Sequence, residues 1–226
     1  MSLFCQQSAA ANSNFAAGRL LTGAATLLLG GASLVGCSSG PSAVTPPSID
    51  ADDAAAAAMT QYDTDGDGYI AGSELDAAVG LKAAMATLDA NQDDKVEESE
   101  IANRITSWQV GNTGLTGINC KVTMDGRPLI GARVEFIPEK FLGDEMLAAE
   151  GETSPAGMAI VSIPKSKRPD PTWPPGVQYG FYQVKVSMPS GSIPAKYNEE
   201  TTLGQQVAPD DPAVVSQRME FALTSK

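Results

Sequence analysis

Two twelve-residue segments, Asp63–Glu74 (DTDGDGYIAGSE) and Asp89–Glu100 (DANQDDKVEESE), repeat one arrangement of oxygen-bearing side chains that no apolar core could absorb. Positions one, three and five are Asp63, Asp65 and Asp67 in the first segment and Asp89, Asn91 and Asp93 in the second. Position twelve is Glu74 or Glu100. Alternate residues of a tight loop can turn their oxygens to one point, and carboxylates gathered without a cation repel one another. The segments therefore read as loops between regular elements, each shaped to hold a positive ion.

The first segment fits the D-x-D-x-D-G-x5-E loop of the EF-hand family without a mismatch. That resemblance implies Ca2+, a hard cation that takes six to eight oxygens. Asp63, Asp65, Asp67 and Glu74 would bind through side chains, and Tyr69 through its carbonyl. Ala71 has no side-chain oxygen, so a water would fill its direction. In the second loop the same roles fall to Asp89, Asn91, Asp93, Lys95 (by its carbonyl), Glu97 (directly or through water) and Glu100. Gly68 allows the sharp bend of the first loop, whereas Asp94 stands at that place in the second and must hold it with a Cβ. Ile70 and Val96 point away from the ion and can pair the loops. Only 14 residues separate Glu74 from Asp89, so the intervening helices must be brief. The spacing resembles compact EF-hand pairs of bacterial envelope proteins.

Helical signals surround the loops. Asp52 or Asp53 can cap a helix running through the Ala-rich stretch to Met59 and Tyr62. Leu75 and Val79 lie four apart, with Gly80 as the expected stop. Leu81, Met85 and Leu88 form the next apolar stripe, and Ile101, Ile105 and Trp108 the last. After residue 112 the period becomes two: Ile118-Cys120-Val122, Ala132-Val134-Phe136, Tyr182-Val184-Val186 and Met219-Phe221-Leu223 each alternate with polar residues. Met158–Ile163 is a further strand candidate, and Asp125-Gly126 and Gly157 supply turns. Cys120 falls on the buried face as small core filler.

Val122–Pro138 (VTMDGRPLIGARVEFIP) runs strand, D-G turn, P-L-x-G-A, strand. With the Tyr182-x-Val184-x-Val186 and Phe221-x-Leu223 strands it resembles carboxypeptidase-regulatory-like and transthyretin-like domains, over roughly residues 114–226. The resemblance implies a supporting or binding module without peptidase activity. The long loop Lys165–Tyr179 carries local positive charge and Trp173, and reads as a stiffened connection or a recognition surface.

Ahead of these, Leu20–Val35 is an apolar run of 16 residues with Arg19 before it. It has the form of a secretory signal and is short for a membrane span. The run ends Leu34-Val35-Gly36-Cys37, which resembles the lipobox of bacterial lipoproteins and implies a lipid on Cys37. Ser38–Ser48 is a Ser/Pro/Gly tether.

The expected class is therefore multidomain α+β. Residues 1–36 are the lipoprotein signal peptide, 37–49 the lipidated cysteine and tether, 50–109 a compact helical EF-hand pair and 114–226 an antiparallel β-sandwich. The formal net charge of −12 argues against nucleic acid as a partner. The chain has no histidine, which removes Ser-His and Cys-His catalysis, and no G-x-S-x-G, H-E-x-x-H or phosphate-binding glycine loop is present. The reading is a calcium-binding envelope lipoprotein that performs no catalysis, anchored to the membrane through Cys37 and facing periplasm or exterior. It presents the β-sandwich to an envelope protein or glycan. The alternatives are a carbohydrate- or protein-binding module in which calcium is only a clip, and a hydrolase whose site assembles only on folding.

Overall fold

The computed structural model describes residues 44–110, 114–189 and 193–226. The signal segment and Cys37 lie outside the described residues. Asp50, rather than Asp52 or Asp53, caps the first helix, α1 (Ala51–Tyr62), by accepting the amides of both those residues at 3.1 Å. Asp52 and Asp53 instead occupy the first turn, where negative charge suits the helix dipole. Ala54, Ala55, Ala58 and Tyr62 form the buried face of α1. Ala side chains let α1 lie close to α4 (Glu98–Gln109), which buries Ile101, Ile105 and Trp108.

Between the acidic loops run α2 (Ser73–Ala77) and α3 (Val79–Leu88). The break falls at Ala78 and not at Gly80, which lies inside α3. Gly80 serves close approach instead: a Cβ there would come within 2.8 Å of Glu139 Oε1 and 3.2 Å of Phe181 Cβ.

Among the described residues eight strands follow, in two sheets. In the first, β1 (Ile118–Met124) is central. On one edge it pairs antiparallel with β5 (Met158–Val161) and β2 (Arg127–Pro128), and on the other with β8 (Met219–Leu223). The β1–β8 pair is parallel, with Val122 opposite Phe221, which departs from the all-antiparallel expectation. These two strands are joined by no hairpin, since the whole second sheet lies between them in sequence, so no turn fixes their relative direction. The second sheet has the order β4 (Ala149–Glu152), β3 (Arg133–Pro138), β6 (Gly180–Ser187), β7 (Leu203–Val207), antiparallel throughout. A short helix, α5 (Pro212–Ser216), links β7 to β8. The class is thus mixed α+β.

The alternation along β6 places the layers. Tyr182 packs on Phe136, whose ring lies 6.1 Å from that of Phe221 in the first sheet. The neighbouring Phe181 turns to the other side and meets Trp108 of α4, with ring centroids 4.8 Å apart. On β7, a Cβ at Gly204 would fall 1.8 Å from the Val79 carbonyl oxygen, so glycine there lets α3 lie directly on the strand. The boundary expected between 109 and 114 therefore separates segments whose side chains share one core, and the described residues form one compact unit. Cys120 is buried in that core, and burial pushes its thiol pKa up to about 12. Among the described residues, no helix is long and apolar enough to cross a membrane.

Candidate metal centre

Each acidic loop begins at the C-terminus of one helix and ends in the first turn of the next. Asp63 follows Tyr62, the last residue of α1, and Glu74 is in α2; Asp89 follows Leu88 of α3, and Glu100 is in α4. The loops are joined back to back at Ile70 and Val96, which exchange two backbone hydrogen bonds of 2.9 and 3.1 Å and are both fully buried. Burial of these two apolar side chains turns the polar residues of both loops outward. The preceding position in each loop also meets its counterpart: the Lys95 ammonium lies 4.2 Å from the Tyr69 ring centroid.

In the first loop, oxygens of Asp63, Asp65 and Asp67 lie within 4.8 Å of one another, the only such acidic cluster of three among the described residues. Asp63 accepts the amides of Gly66 (2.7 Å) and Gly68 (3.1 Å), which folds the loop around its first carboxylate. Glu74 lies outside that cluster. Its carboxylate takes the amides of Thr64 (2.6 Å) and Ala71 (3.2 Å) and the Thr64 hydroxyl (2.8 Å). These donors, Thr64 first, hold the Glu74 carboxyl below its ordinary pKa.

The second loop repeats this at the same positions. Asp89 accepts from Gln92 (2.6 Å) and Asp94 (2.9 Å), and Glu100 accepts the amides of Ala90 (2.9 Å) and Glu97 (3.1 Å). The Asn91 amide nitrogen donates to Asp93 at 3.2 Å, and the Glu97 carboxylate accepts the Ser99 hydroxyl at 3.3 Å. The loops differ in their backbone. Gly66 (φ 73°) and Gly68 (φ 87°) take the left-handed region without a Cβ. Their counterparts, Gln92 and Asp94, hold φ 61° with one. The strain at Asp94 was legible from the motif. That at Gln92 was missed, although Gly66 at the matching place carried the signal.

Elsewhere the candidate surfaces offer less. Trp173 is half-buried and its carbonyl accepts Arg168 at 2.9 Å; Tyr179 is half-buried beside Trp108 and Gly114. Neither ring is a fully exposed platform. An open cleft of about 380 Å³ beside β3 and β4 has its one cation among the described residues paired, with Arg133 bound to Glu150 at 2.5 Å and to Glu135 at 3.2 Å. No family model, no curated protein and no solved structure matches the chain.

Proposed function

We infer that this chain is a calcium-binding lipoprotein of the bacterial cell envelope, held to a membrane by a lipid on Cys37 and acting by coordination, without chemical turnover. The helices and loops of residues 50–109 are an EF-hand pair, and the two sheets are a β-sandwich of the carboxypeptidase-regulatory-like or transthyretin-like kind that presents a surface to an envelope protein or glycan. Tyr69 and Lys95 supply carbonyls, and Glu97 supplies a direct or water-mediated contact.

The observation that carries the calcium reading is the first loop. Three carboxylates gather within 4.8 Å, in a loop tied to an equivalent acidic loop through Ile70 and Val96. Their repulsion is relieved by a divalent cation whose preference for hard oxygen donors they match. Calcium outside the cytoplasm is abundant, so weak sites suffice and the ion acts as a structural clip. Thermal melting of the full chain in calcium and in chelator tests this. The melting temperature is expected to rise with calcium by mass action, and coincident curves would refute the reading.

A further inference from the structure

Two buried side chains, one at the end of a strand and one within a strand, bind helices that flank the acidic loops. The first is Glu139, directly after β3 and 1% exposed. Its Oε2 accepts the Tyr62 hydroxyl at 2.7 Å, and its Oε1 accepts the Gly80 amide at 3.1 Å. Tyr62 ends α1, the helix that enters the first loop, and Gly80 lies in the first turn of α3, which follows α2 beyond the break at Ala78 and enters the second loop. The second is Gln206 of β7, fully buried. Its Oε1 accepts the Thr87 hydroxyl at 2.8 Å and Arg104 Nη2 at 3.1 Å. Thr87 is on α3, entering the second loop, and Arg104 is on α4, leaving it. The Thr87 contact is shorter than the 3.1 Å to the Ala84 carbonyl that the same hydroxyl also faces. Arg104 is fixed further by Asp210 at 2.7 and 2.8 Å.

We propose that Glu139 and Gln206 are positioning residues for the two calcium loops: Gln206 fixes the entering and leaving helices of the second loop, and Glu139 fixes the helix that enters the first loop against the start of α3, at the separation that calcium binding requires. The inference rests on the calcium reading above. A loop beside helices that are already held loses less conformational freedom when it closes on an ion, so the anchors tighten binding without touching it. Splaying the helices to uncover an apolar groove, as calcium sensors do, would break buried hydrogen bonds to both anchors. The pair is therefore set to clip and not to open.

Tyr62→Phe and Thr87→Val each delete one hydroxyl and leave the anchor in place. Calcium calorimetry on the full chain, repeated in Glu74→Gln and Glu100→Gln backgrounds, reads one loop at a time. Tyr62→Phe is expected to weaken the first loop about fivefold and leave the second within about twofold, and Thr87→Val to do the reverse. A purely structural role would lower the melting temperature in chelator without this loop selectivity. Equal weakening of both loops, no change, or tighter binding would overturn the proposal. A wild-type chain that binds no calcium would overturn the calcium reading itself, and the proposal with it.

Discussion

Tyr62 and Glu139, 77 residues apart in the chain, meet in a buried hydrogen bond of 2.7 Å that joins the end of α1 to the end of β3. Burial raises the Glu139 carboxyl above its ordinary pKa, and the bonds from Tyr62, Gln183 and Gly80 offset this only in part. Between the unfolded and folded pKa values the folded chain holds the proton that the unfolded chain has lost. The contribution of Glu139 to stability is therefore complete below the ordinary Glu range and falls as pH rises through the raised folded value.

Glu139→Gln removes this titration. Urea unfolding in chelator, from about pH 7 down to about pH 4, is expected to move the stability difference steadily in favour of the wild type as pH falls. A difference that stays constant with pH would show that Glu139 does not titrate as its burial implies.

The packing of α3 on β7 predicts a strong effect at Gly204. A methyl group there would lie 1.8 Å from the Val79 carbonyl oxygen, a backbone atom that can move only with its helix. Gly204→Ala should destabilise by about 3 kcal/mol or more, by urea unfolding. Gly131→Ala is the control. Gly131 has φ 70° but open space around it, so only the backbone term of about 1 kcal/mol should appear. Equal effects at the two positions would contradict the packing described.

That two acidic loops lie between helices was legible because oxygen-bearing side chains recur at fixed spacing, and spacing survives in a linear sequence. Ile70 and Val96 were readable for the same reason. Gly80 was misread as a helix stop because its glycine answers to Glu139 and Phe181, which are distant in sequence. Glu139 itself, in the stretch Phe136–Lys140, resembles any solvated strand-end residue, and nothing local marks its burial. The parallel β1–β8 pair was hidden because alternation reveals a buried face but not the direction of a neighbour.

Backbone strain ranks the two loops. Gln92 and Asp94 each hold a Cβ at φ 61°, at about 1 kcal/mol apiece, or about fivefold in affinity for each. Asp94 adds a negative charge that attracts calcium, but salt screens an exposed charge and leaves sterics untouched. Asp94→Gly and Gln92→Gly should each tighten the second loop, the pair more than either alone, when measured in the Glu74→Gln background. The first loop is expected to be the tighter in the wild type. If the Glu74→Gln chain kept the tighter site, this ranking would be wrong.

The proposal of a lipid anchor rests on Leu34-Val35-Gly36-Cys37. Mass spectrometry of the chain from the membrane fraction should find Cys37 at a new N-terminus carrying lipid, and Cys37→Ser should abolish both modification and membrane retention. An unmodified Cys37 in that fraction would exclude lipidation.

Calcium binding by the paired loops is tested most directly by an equilibrium calcium titration of the full chain beside its Glu74→Gln/Glu100→Gln double variant. Two bound ions in the wild type and neither high-affinity site in the double variant are predicted. Absence of calcium binding in the wild type, or binding that survives unchanged in the double variant, would contradict the account.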